Sequence, residues 1–348
     1  MITKNKDCCL TTYLILILSK LTAKISHKLF FSMFRNIFIT YKFIVFLYLF
    51  FCTLAEEEFK FIFMKIHAIE AGNFKLDGGA MFGVVPKTIW SKTNPADANN
   101  LIDIAARCML IEDGNRLILI DTGMGNKQSE KFFSYYSLWG NHSLDTSLHQ
   151  AGFHRDDITD VFMTHLHFDH CGGSVNWNKD KTGYEVAFKN ATFWTNENHW
   201  EWATKPNPRE KASFLHENLI PMQESGQLQF INRPVLDFGH SNELSFDILY
   251  VDGHTEKQML PHIQYKGNTI VFCADLLATA GHVPIPYVMG YDTRPLLTMD
   301  EKSKFMNSAA ENGYLLWLEH DAHNPIVTVE KTDKGVRLKD VLQLSDVL

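Results

Sequence analysis

Residues Thr164 to Gly173 read THLHFDHCGG and place four side chains able to bind metal, His165, His167, Asp169 and His170, within six positions. Neutral imidazoles and a carboxylate suit zinc and similar borderline ions. The apolar run Val161 to Thr164 ahead of them reads as a short buried strand. His165 and His167 alternate, so both can point one way from an extended strand end, while Asp169 and His170 lie past a turn and can face a second ion. Gly172 and Gly173 are expected to let the loop close tightly into a following helix. A surface histidine cluster would not combine four ligands at this spacing with an apolar strand.

Working outward, strands and helices alternate. Ala106–Ile111 and Leu117–Ile120 flank Glu112-Asp113-Gly114-Asn115 and predict a β-hairpin whose second strand runs into Asp121. Leu144–Ala151 has helical spacing and stops at Gly152. Ala191–Trp194 reads as a strand, followed by a helical segment in which Trp200 and Trp202 are assigned to packing. Phe246–Val251, Thr269–Ala274 and Tyr314–Leu318 read as core strands, and Thr298 to Glu301 as a capping box opening a helix toward Asn312-Gly313. Early hairpins followed by mixed strands and helices predict an α/β class fold, an αββα sandwich of two mixed sheets packed face to face with helices outside.

The chain has 348 residues and a net charge of -7, which argues against a nucleic-acid-binding role. Six cysteines without a CxxC pair indicate neither a disulfide scaffold nor a thiolate zinc site. Cys171 is expected to be a small buried residue, and His323 a surface one. The average composition hides a break: residues 1–63 hold none of the 20 Gly or 11 Pro and carry a charge of +4, from eight Lys+Arg and four Asp+Glu. Three readings of this extension stand side by side. Asn36–Ala55 is long enough for a membrane anchor; Met33 can open a signal peptide ending near Ala55; or the start lies too early and Met64 is the native one. All three leave residues 64–348 as the functional domain, cytoplasmic if Met64 is the start, and membrane-anchored or exported through residues 33–55 otherwise.

The HxHxDH pattern of His165, His167, Asp169 and His170 resembles the metallo-β-lactamase superfamily, and the resemblance continues downstream. His254 in VDGHTEKQ corresponds to its third histidine, Asp275 in IVFCADLLA to the carboxylate bridging two metals, and His320 in LLWLEHD to the last ligand. Asp121 in LILIDTG corresponds to the aspartate that supports the metal loop from behind. The segments Lys75–Lys87 and Ala274–Pro295 resemble those of the quorum-quenching lactonases and methyl parathion hydrolases. Only 28 residues follow His320, short of the helical extension that glyoxalase II-type thioesterases carry. Two positions depart from the pattern. The GHTPGH around the third histidine is here Gly253-His254-Thr255-Glu256-Lys257-Gln258, and the tyrosine that some acyl-homoserine lactonases place three residues after the bridging aspartate is here Ala278.

The resemblance implies two zinc ions per chain, with iron or manganese as alternatives. One is expected on His165, His167, His254 and Asp275, the other on Asp169, His170, His320 and Asp275. Two bridged ions would sit roughly 3.5–4 Å apart and ionise a shared water near neutral pH. That hydroxide would open a lactone or similar ester, with Asp169 moving a proton to the leaving group. Phosphotriesters, thioesters and iron-dependent oxidation are the other chemistries compatible with the ligand set, and a catalytically silent binding protein would have no physical reason to keep it. Phe82, Trp90 and Phe168 are expected to line an apolar pocket for a small-molecule substrate. A homodimer is compatible with the sequence.

Overall fold

Alternation along each strand decides which layer a side chain enters. A computed structural model describes residues 64–233 and 237–348; the extension 1–63, and the three readings of it, lie outside the described residues. In the strand Leu101–Asp113, Cys108 and Leu110 enter one core cluster while Met109 and Ile111 enter another, as a period of two requires. The strand Asn268–Phe272 repeats the pattern, Ile270 and Phe272 facing one way and Val271 the other.

Among the described residues the strands in chain order are β1 (Lys65–Asp77), β2 (Leu101–Asp113), β3 (Arg116–Ile120), β4 (Asp160–Phe162), β5 (Val175–Trp177), β6 (Tyr184–Val186), β7 (Thr192–Thr195), β8 (Leu228–Phe230), β9 (Phe238–Ser241), β10 (Phe246–Val251), β11 (Gln258–Tyr265), β12 (Asn268–Phe272), β13 (Leu315–Trp317), β14 (Ile326–Thr332) and β15 (Gly335–Leu342). One mixed sheet runs β1-β2-β3-β4-β7-β8 and the other β15-β14-β13-β12-β11-β10-β9, while β5 and β6 form a separate hairpin. Met109, Ile120 and Phe162 of the first sheet meet Ile248, Phe272 and Trp317 of the second, with the Phe162 and Phe246 rings edge to face at 5.5 Å. The outer face of the first sheet is covered by the helices Leu144–Gln150, Glu197–Thr204 and His216–Glu224. Phe305, Met306 and Ala309 of the helix Pro295–Asn312 cover the second. The layering is αββα.

Two expectations are corrected. The helix toward Asn312 does not open at Thr298 but at Pro295, which occupies the first turn, where the missing N–H costs nothing. Glu301 is therefore free of capping duty, and its carboxylate accepts hydrogen bonds from Asp252 N (2.8 Å) and Gly253 N (2.9 Å), fixing the loop that leads into His254. Gly253 lies so close to that helix that a Cβ would sit 2.3 Å from Thr298 Oγ1. Gly172 and Gly173 likewise do not lead into a helix. They follow a single helical turn, Phe168–Cys171, and precede β5. Their role is close approach, since a Cβ on Gly172 would lie 2.2 Å from Met124 O and one on Gly173 2.2 Å from Thr122 O. Among the described residues no helix is long and apolar enough to cross a membrane.

Candidate metal centre

Every residue of the centre stands just past a strand end, from both sheets. Asp121 follows β3, and Thr164 to His170 follow β4; His254 follows β10, Asp275 β12 and His320 β13. Two of these departures use left-handed backbone without glycine, at Asp121 (φ 57°) and at Ala274 (φ 41°), beside Asp275. Such residues cost about 1–3 kcal/mol each, a strain held by the surrounding contacts. At Asp121 the holding contacts are explicit. Its carboxylate accepts from Thr164 N (2.8 Å), Thr164 Oγ1 (2.6 Å) and His170 Nδ1 (3.0 Å), so one buried side chain fixes both ends of the His165–His170 loop.

Seven side chains converge in two groups. In the first, His165 Nε2 and His254 Nε2 lie 3.1 and 3.2 Å from His167 Nδ1, and Asp275 Oδ2 lies 3.0 Å from His254 Nε2. In the second, His170 Nε2 and His320 Nε2 are 3.1 Å apart, with Asp169 Oδ2 at 4.0 and 3.8 Å from them. Asp275 belongs to both, because its Oδ1 lies 3.0 Å from His320 Nε2 and 3.4 Å from His170 Nε2. The donor atoms of His165, His167, His254 and Asp275 fall inside 4.8 Å of one another, as do those of Asp169, His170 and His320. Asp275 Oδ1 is buried and makes no hydrogen bond within the described protein. Five imidazoles, two carboxylates and no thiolate, with such an orphaned oxygen between the groups, fit divalent ions of the zinc, iron or manganese kind. His165, His167, His254 and Asp275 would hold one ion, and Asp169, His170, His320 and Asp275 the other.

The imidazoles are aimed by partners on their far side. His165 Nδ1 faces Thr164 Oγ1 (3.1 Å), His254 Nδ1 faces Asp292 Oδ1 (2.9 Å), and His320 Nδ1 faces Ala105 O (2.8 Å). His170 Nδ1 faces two buried carboxylates, Asp121 at 3.0 Å and Glu319 at 3.1 Å. These contacts set the electrostatics. Burial works against charging His254, but Asp275 and Asp292 outweigh it and raise its pKa to about 10. Burial is outweighed in the same way at His320, chiefly by Asp275, which raises it to about 9. His165 is pushed well below its usual value by burial and by the neighbouring His170 and His167. Burial raises the Glu319 carboxyl to about 7, against the pull of His170. Without metal His254 and His320 thus hold protons that an incoming ion must displace.

A cavity of about 340 Å³ opens onto the centre. Leu76, Met81, Phe168 and Met289 supply apolar wall, and His167, Asp169, His254, Asp275, His320 and Glu210 the polar end. Phe168 is thus on the cavity, and Phe82 and Trp90 are not. Phe82 is stacked between the rings of Trp90 (5.4 Å) and His282 (4.2 Å), deep in the packing behind the wall. Large planar side chains in a helix-rich stretch signal burial equally well whether they face a ligand or a core, which is why the sequence did not separate them. Ala278 is buried beside Phe82, Phe168 and Met289 and gives the cavity no polar atom. Cys171 is buried with its Sγ on Leu166 O, and His323 is exposed beside Asp103.

Several residues carried no sequence signal. Tyr136 and Tyr291 reach the same cavity, their phenols pushed up to about 12 by burial and by the charge of Asp169. Glu210 stands with Oε1 3.5 Å from His167 Nε2, and despite the opposing effect of burial its contact with His167 brings it down to about 2. His199 ties two loops of the site together. Its Nε2 accepts from Leu166 N at 2.9 Å and its Nδ1 meets Glu256 O at 2.5 Å, a pairing that permits only one neutral tautomer. Asp292 and Glu319 are acidic residues in ordinary sequence surroundings, and only the fold turns them toward histidines.

Known proteins share both this sequence pattern and this architecture. The N-acyl homoserine lactonase AiiB of Agrobacterium fabrum is 30% identical over 118 residues, which are 31% of this chain and 42% of that protein. The N-acyl homoserine lactonase of Bacillus cereus is 22% identical over 201 residues, 55% of this chain and 66% of that protein. The match therefore spans less than half the length of the first relative and about two thirds of the second. Among solved structures, a probable metal-dependent hydrolase from Staphylococcus aureus superposes with a TM-score of 0.69 at 28% identity, covering 80% of this chain and 98% of that one. The dizinc quorum-quenching lactonase AidC superposes with a TM-score of 0.65 at 20% identity, covering 81% and 96%, a likeness of fold. The sequence profile of the metallo-beta-lactamase superfamily matches residues 103–310, more than half of the chain, from within β2 past six of the seven candidate ligands, His165 to Asp275, and to that superfamily the chain belongs.

Proposed function

We propose that residues 64–348 are a zinc-dependent hydrolase that opens a lactone or a closely similar ester. The observation that carries this reading is the placement of Asp275, one carboxylate oxygen 3.0 Å from His254 and the other 3.0 Å from His320, so that a single side chain serves both ligand groups. When bound, a pair of divalent ions supplies a water whose pKa falls to about 7 and polarises a carbonyl oxygen. The chain's own residues do the rest. Asp275 offsets part of the charge that two cations would bring together. Asp169, at the cavity end, is placed to carry a proton to the departing alcohol oxygen. Tyr136 and Tyr291 stay protonated and present O–H donors to the substrate.

The cavity also selects. Asp169, Asp275 and Glu210 put three carboxylates at its polar end, facing apolar wall from Leu76, Met81, Phe168 and Met289. The apolar wall favours a substrate with an apolar portion, such as a substituted lactone. Its lactonase relatives support the same substrate class. The test is metal content by elemental analysis together with hydrolysis of lactones, phosphotriesters and thioesters by the same samples. Two zinc ions per chain and fastest turnover of a lactone are expected. Fully metallated protein that turns over none of the three classes, or that consumes O₂ with bound iron, would overturn the proposal.

A further inference from the structure

Of the five histidines at the centre, four present Nε2 to it and leave Nδ1 for a partner on the far side: Thr164 for His165, Asp121 and Glu319 for His170, Asp292 for His254, and the Ala105 carbonyl for His320. His167 is turned the other way. Its Nδ1 faces His165 and His254 at 3.1 and 3.2 Å, so its Nε2 is the atom that needs a partner. That Nε2 is buried and makes no hydrogen bond among the described residues. The acceptor standing before it is Glu210 Oε1, at 3.5 Å and also buried without a hydrogen bond. A small tilt of either group closes the contact.

The other end of Glu210 is fixed. Its Oε2 accepts from Trp202 Nε1 at 2.7 Å and from Asn207 Nδ2 at 2.5 Å. Trp202 is in turn covered by the Arg294 guanidinium, 5.0 Å from the ring, and Arg294 also pairs with Glu256 at 2.7 Å. The whole residue Glu210 is 3% exposed. A carboxylate this deeply buried costs stability unless it is well partnered, and nothing in the packing requires a charge at that point. Its orientation makes sense if it accepts the Nε2–H of His167.

We infer that Glu210 is the positioning residue of His167: by accepting the Nε2 proton it fixes the tautomer whose Nδ1 lone pair points at the first ion, and Trp202 holds it there. The inference rests on the two-ion reading of the centre. Carboxylates behind ligand histidines typically contribute 10–100-fold in metal affinity. Because Glu210 touches only the His165–His167–His254 group, its loss weakens one ion and spares the other.

The experiment is stepwise zinc and cobalt titration of the full chain after chelation, on wild type, Glu210→Gln, Glu210→Leu and Trp202→Phe, with thermal melts with and without metal. Glu210→Leu is expected to weaken one of the two ions 10–100-fold, change the visible band of the cobalt in that site, and leave the other ion's affinity unchanged. Glu210→Gln has a single acceptor oxygen, which the Trp202 Nε1 and Asn207 Nδ2 donors hold, so its NH2 faces His167 and it loses affinity at the same ion as Glu210→Leu, while Trp202→Phe loses less. Affinities within twofold of wild type in Glu210→Leu overturn the inference while leaving the two-ion reading intact. An equal loss at both ions, together with a lower melting temperature of the metal-free protein, shows a role in folding alone and also overturns it. A wild-type chain that takes up no ion overturns both.

Discussion

Asp275→Asn is the sharpest perturbation of the centre, because it keeps the side-chain shape and removes one charge from both ligand groups. Its effect on the metal-free protein follows from the histidine it faces. Raising His254 from 6.5 to about 10 amounts to about three units above pH 7, or about 4 kcal/mol of stabilisation there. Asp292 supplies part of that, and His254 can lose its proton once Asp275 is neutral, so about 2–4 kcal/mol is the expected loss. In a domain this size that lowers the melting temperature of chelator-treated protein by several degrees. With metal the effect is larger, since the variant loses a ligand of each ion. Lactone hydrolysis should fall more than the roughly 10–100-fold typical of a change behind the ligands, and the stabilisation conferred by metal should shrink with it. The assay is elemental analysis, hydrolysis rate and melting curves on the same samples. An Asp275→Asn protein with two ions per chain, near-normal turnover and an unchanged metal-free melting temperature would refute the shared-carboxylate reasoning.

Other outcomes follow from the same contacts. His254 and His320 titrate at about 10 and about 9 in the folded metal-free chain, so the stability they contribute is complete below about pH 6.5 and is lost as pH rises through those values. Asp275, held well below its usual range against the penalty of burial by His254, His170 and His320, contributes above about pH 4 and loses its contribution under more acid conditions. Below about pH 6.5 the buried His165, His199 and His282, whose neutral forms burial favours, oppose folding as protons become available, so melts of metal-free protein should show greatest stability near pH 6.5 and fall on both sides. Zinc affinity should rise from pH 6.5 to 9 as the competing protons leave; a zinc affinity flat over that range would count against the assignment. Arg107→Met removes a buried guanidinium that pairs with Glu70 (2.6 Å) and donates to the carbonyls of Leu318 (3.1 Å) and Asp321 (2.7 Å) on either side of His320. It should cost about 3–5 kcal/mol by chemical denaturation and weaken the ion on the His320 side more than the other; equal weakening of both would show a general effect. A chain starting at Met64 should fold and hydrolyse as the full chain does, and loss of soluble, active protein would show that residues 1–63 belong to the domain.

The layering and the His165–His170 cluster were legible because both are written in local pattern, while His254, Asp275 and His320 were found through the resemblance of their surroundings to the superfamily. Apolar runs marked β10, β12 and β13 nearly to their ends, and the ligands stand directly after such runs, where a strand terminus fixes direction. The neighbours of those ligands were not legible. Asp292 and Glu210 lie in loops without periodicity, and their partners, His254 and His167, are 38 and 43 positions away in sequence. Nothing local distinguishes a carboxylate that will be buried against an imidazole from one that will be solvated. Thr298 to Glu301 misled for a related reason. It satisfies the spacing of a capping box, but Pro295 starts the helix a turn earlier, and the backbone donors that Glu301 satisfies belong to another loop. Phe82 and Trp90 show the limit for apolar residues, whose pattern reports burial and not the identity of what buries them.

The site is also a measure of how the two sheets sit together. Asp121 and the His165–His170 loop come from the first sheet, while His254, Asp275 and His320 come from the second, so neither sheet carries a complete ligand group. What holds the halves in register is a seam beside the site. Ala105 N donates to His320 O at 3.2 Å, His320 Nδ1 meets Ala105 O at 2.8 Å, Arg107 N donates to Glu319 O at 3.0 Å, and Trp317 Nε1 donates to Arg107 O at 3.0 Å. On the other flank, Met259 N of β11 donates to Thr164 O at 2.9 Å, one residue before His165. These bonds tie β2 to the strand end that carries His320, and β11 to the strand end that carries His165. A slip of about one ångström between the sheets would break the seam and separate Asp275 from one group or the other, since its two oxygens reach them at 3.0 Å each. Metal binding and sheet packing therefore reinforce each other, and an ion bound at the centre stabilises the sandwich as a whole rather than one loop of it.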